Sequence, residues 1–402
     1  MSDIYQESVD MHRKLGGKMC IQSKVKIENR HDLSLAYTPG VARVCEAIAN
    51  NEELVYELTI KKNTVAVVSD GSAVLGLGNI GAHAAIPVME GKAILFKEYA
   101  DIDAFPICIN TQNTIELISI IKNIAPVFGG INLEDIASPR CFEIETSLQD
   151  LGIPVFHDDQ HGTAIVVLAA LINAAKLAGK KIHDLKVVIN GGGAAGTAIA
   201  ELLLSMGYDE HTHESVKELL VCDTKGILCE TRDDIANFPE KIRLASKTNR
   251  DLQNGTLSDA LTGADVFIGV SVGNVVTADM IQKMAPKAIV FALANPTPEI
   301  MPEEAKKGGA FIVGTGRSDF PNQVNNVLAF PGIFRGAIDA RAKTITRGMK
   351  IAASLALAAS IENPTPEGVL PSVLDKSVTR KVAEAVAEAW KATHSLTEVT
   401  LT

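Results

Sequence analysis

Short apolar runs alternate with longer segments of helical pattern from about residue 160 onward. The runs are rich in Val, Ile, Leu and Phe, which is typical of strands that are buried on both faces. Helical segments between such strands predict a doubly wound parallel sheet. The predicted strands are residues 185–190, 219–222, 265–269, 288–292 and 311–313, and the helices flanking the first of them are residues 165–177 and 194–204.

The first 155 residues mix strand and helix patterns in a different order, which predicts a separate N-terminal α/β domain. After residue 341 the pattern becomes helical, and these helices are expected to pack on the rest of the fold. We therefore divide the chain into residues 1–155, 156–345 and 346–402. The further predicted elements are strands 64–68, 92–96 and 105–109 and helices 114–124, 351–360 and 378–392.

The composition is that of a globular chain with an aliphatic core. Of 402 residues, 47% are hydrophobic and only 4% aromatic, which excludes disordered and collagenous classes. The formal net charge of −10 disfavours a protein dedicated to nucleic acid or to an anionic membrane. A chain of this length divides into two or three domains, so a cleft between domains is the expected place for a site.

The cysteines and the apolar runs indicate a cytoplasmic protein. Six cysteines are scattered without C-x-x-C spacing, most of them in apolar runs, which favours buried, reduced thiols. The N-terminus is polar and acidic, so no secretory signal is expected. The longest apolar run, residues 164–175, has 12 residues, fewer than the roughly 20 needed to cross a bilayer.

The motif G-x-G-x-x-G occurs twice, at residues 76–81 and 191–196. In a dinucleotide site it joins a strand to a helix, because its glycines let the backbone approach the pyrophosphate at the helix N-terminus. The second copy meets this condition. In the first copy, Pro87 is expected to break the following helix within two turns, so a tight turn shaping a cleft is favoured. The predicted contacts of a Rossmann-type cofactor site are Gly191, Gly193, Ala194, Ala195 and Gly196.

Asp223 follows a predicted strand of the second domain and bears on the choice of cofactor. A carboxylate at that place accepts hydrogen bonds from both ribose hydroxyls of NAD and repels the 2′-phosphate of NADP. Lys225, two residues on, partly offsets the repulsion. NAD is therefore favoured, and NADP stays possible.

Two acidic pairs, Glu134-Asp135 and Asp158-Asp159, stand among apolar or small residues. A buried carboxylate is costly unless a cation, a proton or an arginine compensates it, and hard oxygen ligands suit Mg²⁺ or Mn²⁺. Zinc is disfavoured, because the nearby His157 and His161 lack a third His or Cys at ligand spacing. From the residues alone, helix caps and surface charge explain the pairs equally well.

Several stretches resemble the malic enzymes, in particular their short bacterial form. Two departures are visible: Asn79 stands where many relatives have an acidic residue, and Gly192 adds a glycine to the second fingerprint. The resemblance spans about residues 15–350, and its longest runs are highly specific. The matching stretches are 36–42, 69–72, 76–81, 87–92, 128–136, 139–143, 154–163, 294–297 and 319–326.

The resemblance implies oxidation of L-malate with NAD or NADP and decarboxylation to pyruvate and CO₂, dependent on Mg²⁺ or Mn²⁺. It implies that Lys92 is the general base and Tyr37 the general acid. It places Asn295 and Asn325 on the substrate, with Asn295 also at the cofactor. The implied metal ligands are Glu134, Asp135 and Asp159, and Asp158 is implied to orient the lysine or a ligand.

These residue types suit the reaction. A buried lysine beside a divalent cation has a lowered pKa, so Lys92 is expected to approach neutrality, and Tyr37 stays protonated at neutral pH, as a general acid must. Neutral amides bind a carboxylate without adding charge. Without the resemblance, Tyr37 is better explained as a ring anchoring a turn, Lys92 as a solvated strand end and Asn295 as part of a turn.

Two other functions fit parts of the sequence. One is a 2-hydroxy-acid dehydrogenase that releases the keto acid without CO₂, and the other is a catalytically silent, NAD-binding regulator. A regulator has no need of Tyr37, Lys92 and three carboxylates together, which disfavours it. The resemblance and the C-terminal helices imply a homodimer acting on a small molecule, with neither nucleic acid nor membrane as partner.

Overall fold

The computed structural model describes residues 3–205 and 215–399, and side chains as far as residue 393. The strands are β1 (Thr64–Ser69), β2 (Asp103–Cys108), β3 (Gly130–Leu133), β4 (Val155–His157), β5 (Lys186–Asn190), β6 (Glu218–Asp223), β7 (Gly226–Ile227), β8 (Val266–Gly269), β9 (Ile289–Ala292) and β10 (Ile312–Thr315). The helices are α1 (Ile4–Leu15), α2 (Arg30–Ala36), α3 (Gly40–Asn50), α4 (Val55–Leu58), α5 (Gly81–Ala100), α6 (Thr114–Ile124), α7 (Arg140–Ser147), α8 (Asp158–Ala178), α9 (Ala194–Leu204), α10 (Pro239–Thr248), α11 (Leu257–Leu261), α12 (Ala278–Gln282), α13 (Pro302–Lys307), α14 (Phe330–Asp339), α15 (Arg347–Ala359) and α16 (Ser377–Val399).

The first sheet has four parallel strands in the order β2-β1-β3-β4. Every residue of β1 is buried, because helices cover both faces of such a sheet. The strands predicted over residues 64–68 and 105–109 are β1 and β2, and the predicted helix over 114–124 is α6. Because the strands are parallel, all their carboxyl ends lie at one edge of the sheet, and the residues that follow the strands are brought together there.

Two predictions for this part of the chain are wrong. Residues 92–96, predicted as a strand, lie inside the 20-residue helix α5, and Pro87 does not break that helix. A short apolar run has no period that separates a buried helix from a buried strand. The burial of Ala85, Met89 and Phe96 outweighs the cost of the proline, which is about 3 kcal/mol inside a helix.

The second sheet has six strands in the order β10-β9-β8-β5-β6-β7, parallel except for β7. All five strands predicted after residue 180 are present. The chain adds β6 and β7 on one side of β5 and then returns to add β8, β9 and β10 on the other side. This is the predicted doubly wound topology. The predicted helices flanking β5 are α8 and α9.

The C-terminal helices α14, α15 and α16 complete the fold. The helices predicted over residues 351–360 and 378–392 are α15 and α16, whereas α14 lies before the predicted helical region. Phe96 of α5 packs edge-on against Phe330 and Phe334 of α14, with ring centroids 4.8 and 5.3 Å apart. Within the described residues α8 alone is long and apolar enough to cross a membrane, and 72% of its apolar window is buried inside the fold. Its apolarity is therefore that of a core helix.

The N-terminal arm, residues 3–60, packs differently from the rest. It contains no buried residue, although it carries exposed apolar side chains such as Ile4, Val9 and Leu35. Two of the six cysteines, Cys20 and Cys45, lie exposed on this arm, contrary to the expectation of buried thiols. Cys108 is half-buried, and the other three are buried.

Candidate active site

The candidate site lies at the carboxyl edge of the first sheet. Glu134 and Asp135 follow β3 directly, and Asp158 and Asp159 open α8 directly after β4. Since β3 and β4 are parallel neighbours, their carboxyl ends bring the two acidic pairs together. The N-terminus of α8 also favours the negative charge of its first two residues.

Lys92 of α5 lies between the two acidic pairs. Its Nζ is 2.8 Å from Oε1 of Glu134 and 2.6 Å from Oδ2 of Asp158. The side chains of Lys92 and Glu134 are 8% and 5% exposed and that of Asp158 is fully buried. The ring of Phe330 lies 4.4 Å from the ammonium. The sequence analysis expected Lys92 near a strand end, whereas it projects from the middle of a helix into the carboxylate cluster.

The three predicted metal ligands converge on one point. One carboxylate oxygen each from Glu134, Asp135 and Asp159 lie within 4.8 Å of one another. Oδ2 of Asp135 is buried without a hydrogen-bond partner among the described residues, and Oδ2 of Asp159 accepts from the Asp135 backbone N–H at 2.8 Å. Three converging hard oxygens, one of them orphaned, fit a divalent cation such as Mg²⁺ or Mn²⁺.

Burial and mutual repulsion raise the pKa of the carboxyl groups in this cluster, against the opposing effect of the Lys92 ammonium. Burial raises the pKa of Glu134, Asp135 and Asp159, and the charge of a neighbouring carboxylate raises each of these pKa values further. Burial also raises the pKa of Asp158, to about 7. A group of carboxyls that resists ionisation in this way is stabilised by a cation.

The pKa of Lys92 runs opposite to the expectation. Burial lowers it, but the Asp158 and Glu134 carboxylates outweigh burial and leave the pKa of Lys92 above its ordinary value. The chain's own charges therefore keep this lysine protonated. A shift toward neutrality needs a further positive charge at the carboxylates.

Several polar residues that hold the cluster in place carry no distinguishing signal in the sequence. Asn132 donates to Glu134 at 2.8 Å. Glu145 of α7 accepts from the His157 backbone N–H at 3.1 Å and lies 2.9 Å from Nε2 of His161. These contacts fix the junction of β4 and α8, and only the folded chain brings them together.

The second glycine fingerprint joins β5 to α9, as predicted. A Cβ on Gly191 would clash with the carbonyl oxygen of Val270, and one on Gly196 would clash with that of Gly191. Gly193 caps α9 without a side-chain hydrogen bond, so the N–H groups of Ala194 and Ala195 have no capping side chain. Close glycine backbone and free amides at a helix N-terminus fit a pyrophosphate.

Asp223 ends β6, beside this loop, and is already paired. Arg232 donates to both of its oxygens, at 3.0 and 3.2 Å, and Lys241 donates to Oδ2 at 2.9 Å. Burial opposes ionisation, but these two cations hold the pKa of Asp223 below its ordinary value. Lys225, which the sequence analysis considered as the compensating cation, instead pairs with Asp234 at 3.4 Å.

The asparagines expected at the substrate follow the strands of the second sheet. Asn295 is exposed just beyond β9, and its carbonyl lies where a Cβ on Gly76 would approach to 2.6 Å. The first glycine copy is thus a tight turn packed on the Asn295–Pro296 turn, as its sequence favours. Asn325 caps the turn that precedes α14, accepting from the Val327 N–H at 3.0 Å, and its amide nitrogen remains available to a ligand.

Tyr37 does not join the cluster. It ends α2 on the N-terminal arm with 67% of its surface exposed, whereas the members of the cluster other than Asp159 are buried. The side chain expected to act as general acid therefore lies on a segment that buries none of its own residues within this chain.

Comparisons with known proteins identify relatives over nearly the whole chain. Residues 16–118 match the family described as malic enzyme, N-terminal domain, and residues 160–391 match malic enzyme, NAD binding domain. The chain is 53% identical to the bifunctional malic/malolactic enzyme of Bacillus subtilis, covering 96% of this chain and 92% of that protein. It is 54% identical to the NAD-dependent malic enzyme of Geobacillus stearothermophilus, covering 93% and 77%.

A solved structure shares both the fold and half of the sequence. The NAD-dependent malic enzyme of Thermotoga maritima superimposes with a TM-score of 0.91 at 51% identity, over 96% of this chain and 99% of that one. Relatives with NADP in their names also occur. The probable NADP-dependent malic enzyme of Rickettsia prowazekii is 52% identical over 91% of this chain, which spans 46% of that longer protein.

Proposed function

The chain belongs to the malic enzyme family, and from this membership we propose how its residues divide the work of the reaction. The activity is oxidative decarboxylation of L-malate to pyruvate and CO₂ with reduction of NAD(P). A non-decarboxylating dehydrogenase and a silent regulator, the two alternatives from the sequence, are thereby superseded. The observation that carries the assignment of residues is Lys92 held between Glu134 and Asp158 at the edge of the carboxylate cluster.

Lys92 is the proposed general base. It accepts the proton of the C2 hydroxyl of malate, and the Asp158 and Glu134 carboxylates stabilise the ammonium that results. Tyr37 is the proposed general acid, which donates a proton to C3 of enolpyruvate after CO₂ has left. Asn295 and Asn325 are proposed to bind the carboxylates of the substrate through their amide N–H groups.

Glu134, Asp135 and Asp159 are the proposed ligands of Mg²⁺ or Mn²⁺, with Asp158 holding the lysine rather than the cation. When bound, the cation polarises the C2 oxygen and offsets the negative charge that raises the pKa of Lys92. The convergent oxygens and the orphaned Oδ2 of Asp135 support this site.

We propose NAD as the preferred cofactor, with NADP accepted more weakly. The loop of Gly191, Gly193 and Gly196 is proposed to hold the pyrophosphate, and Asp223 the adenosine ribose. Because Arg232 and Lys241 already neutralise Asp223, its repulsion of a 2′-phosphate is weaker than that of a bare carboxylate, which narrows the preference.

The proposed assembly is a cytoplasmic homodimer. The three helices of the arm, α1, α2 and α3, bury no residue in one chain. They expose apolar side chains such as Ile4, Val9 and Leu35, and an exposed apolar patch is typical of an interface between proteins. We propose that the arm packs on a second copy and carries Tyr37 into the cleft of that copy. The site is then complete only in the dimer.

Replacing Lys92 tests this division of roles. Lys92→Ala is expected to lower kcat by about 10²- to 10⁴-fold, the usual contribution of a general base, while the affinity for NAD stays within about twofold because the dinucleotide loop lies on the other sheet. Steady-state kinetics give the first quantity and fluorescence titration with NAD the second.

Lys97→Ala is the matched control, since Lys97 lies on the same helix and pairs with two carboxylates, Asp101 and Asp103, but is half-exposed. Its kcat is expected to equal that of the parent protein. A wild-type kcat in Lys92→Ala, or an equal loss of NAD affinity, would show that Lys92 is structural.

A further inference from the structure

Glu299 is a carboxylate buried without a counter-ion. It is 0% exposed, and no cation of the described chain forms an ion pair with it. Its Oε1 accepts from the Ser271 N–H at 2.7 Å and the Ser271 hydroxyl at 3.1 Å, and its Oε2 accepts from the Ala294 N–H at 3.0 Å. Burial raises the pKa of Glu299, and these hydrogen bonds oppose that rise.

The surroundings of Glu299 require an acceptor at both oxygens. A glutamine there would turn its NH₂ group toward the N–H of Ser271 or of Ala294, leaving a buried donor unpaired. The neighbouring strand also makes room for it, since a Cβ on Gly269 would clash with the Glu299 carboxyl group. The position thus suits a negative charge, whose burial is costly unless hydrogen bonds such as these compensate it.

The contacts of Glu299 tie together three strand ends of the second sheet. Ser271 follows β8 and Ala294 follows β9, and the Ser271 hydroxyl accepts from Asn190, the last residue of β5, at 2.8 Å. Ala294 immediately precedes Asn295, which is proposed to bind substrate. The glutamate therefore fixes the loop that carries a proposed substrate ligand relative to the loop that holds the pyrophosphate.

The same strand ends locate the nicotinamide half of the cofactor. The pyrophosphate loop follows β5, and the proposed ribose ligand Asp223 follows β6 on one side of it. Because β8 lies on the other side of β5, the dinucleotide extends from β6 across β5 toward the ends of β8 and β9. Glu299 is hydrogen-bonded to the residues that follow these two strands, Ser271 after β8 and Ala294 after β9.

We propose that Glu299 is a positioning residue of the nicotinamide site, which holds the loops after β8 and β9 together and favours the oxidised cofactor through its charge. The oxidised nicotinamide ring is cationic and the reduced ring is neutral, so a fixed negative charge nearby strengthens binding of NAD⁺ relative to NADH. This inference rests on the proposed function, because it needs a dinucleotide at the second sheet.

The test measures the Kd of NAD⁺ and of NADH by calorimetry in the full-length protein. Glu299→Gln, which removes the charge and keeps the size, is expected to lower the preference for NAD⁺ over NADH by about three- to tenfold and to raise the KM for malate. Glu299→Asp keeps the charge and is expected to retain the cofactor preference while still raising the KM. Asn173→Ala is the control. Asn173 is also a buried polar residue, but it lies on α8 and donates to the carbonyls of Ala358 and Val369 instead of contacting the loops after β8 and β9.

Four outcomes would count against the proposal or against the function on which it rests. An unchanged preference in folded Glu299→Gln, or the same loss of preference in Asn173→Ala, would overturn the proposal. If Glu299→Gln does not fold, Gly269→Ala displaces the carboxylate from its hydrogen bonds instead, and an unchanged KM for malate in that variant would overturn the proposed positioning of the loops. Failure of the parent protein to bind either cofactor would contradict the proposed function itself.

Discussion

At the scale of single residues, the site is governed by the balance of burial and charge. Lys92, Glu134 and Asp158 are all buried, which would be prohibitive for any one of them alone. Together they pair one ammonium with two carboxylates, and the remaining negative charge is concentrated at Asp135 and Asp159. This excess of negative charge is the reason why we propose the cluster as the site of a divalent cation.

Asp223 allows a prediction about cofactor choice. Asp223→Ala frees Arg232 and Lys241 to meet the 2′-phosphate of NADP, so the ratio of kcat/KM for NAD to that for NADP is expected to fall by about tenfold, equivalent to about 1.4 kcal/mol. Steady-state kinetics with the two cofactors measure the ratio.

Asp234→Ala is the matched control for that prediction. Asp234 pairs with the same Arg232 at 2.8 Å but does not end the strand at the ribose position, so its removal is expected to change the ratio less. An unaltered ratio in Asp223→Ala would show that Asp223 does not govern the choice of cofactor.

The sequence predicts some of these residues and misses others for a physical reason. The acidic pairs and the second glycine fingerprint are local patterns, so their chemistry is visible before folding. Glu145 and Glu299 act through partners that are distant along the chain or through backbone N–H groups, which no local pattern reveals. Asn132 contacts Glu134, only two residues away, but an asparagine beside an acidic residue is too common to single it out. The resemblance to a family supplied Tyr37 and Lys92, whose surroundings in the sequence are ordinary.

At the scale of helices and strands, an apolar run in the sequence predicts that the segment is buried more reliably than it predicts whether the segment is a helix or a strand. The five strands predicted after residue 180 are present because each is short and bounded by turn residues. The run at residues 92–96 is as apolar as those strands, but it continues a helix that begins at Gly81. This difference bears on the site, because Lys92 reaches Glu134 and Asp158 from the middle of helix α5 and not from the end of a strand.

Glu145, on helix α7, makes the stability of the protein depend on pH. Burial opposes ionisation, but His161 and Lys350 outweigh it and lower the pKa of Glu145 from 4.5 to about 2. A lowered carboxyl pKa contributes stability that is present above about pH 4.5 and is lost as the pH falls toward 2.

Glu145→Gln is therefore expected to lower the free energy of unfolding by about 1 to 3 kcal/mol, the usual cost of weakening buried hydrogen bonds to a charged acceptor. The difference from the parent protein should shrink as the pH falls below 4.5, which urea unfolding at a series of pH values measures. Glu143→Gln, an exposed position on the same helix, is the control, with an expected change within about 0.5 kcal/mol. A difference that does not vary with pH would exclude the charge of Glu145 as its source.

At the scale of the whole molecule, loops from the carboxyl ends of the two sheets meet, since a Cβ on Gly76 would lie 2.6 Å from the Asn295 carbonyl oxygen. The first sheet contributes Lys92, Glu134 and Asp135, while the second contributes the dinucleotide loop and Asn295. The aromatic contacts of α5 with α14 tie these parts into a continuous core. Among the described residues the arm buries none of its own side chains, which is why we propose that it packs on a second copy.

Mixing two inactive variants tests the proposed exchange of Tyr37 between copies. Tyr37→Phe and Lys92→Ala are each expected to be inactive alone. A mixed dimer has one cleft with Lys92 from one chain and Tyr37 from the other, so co-refolding the two variants is expected to restore activity. If the mixture stays inactive although mixed dimers form, as judged by differential tagging, each chain uses its own Tyr37.

The central claim is that this chain decarboxylates malate through the Lys92 cluster and a divalent cation. The most direct test is the stoichiometry of products from L-malate, NAD and Mn²⁺, with and without EDTA. We expect NADH, pyruvate and CO₂ in equal amounts, and no turnover in EDTA. Formation of NADH without CO₂, or undiminished turnover in EDTA, would contradict the account.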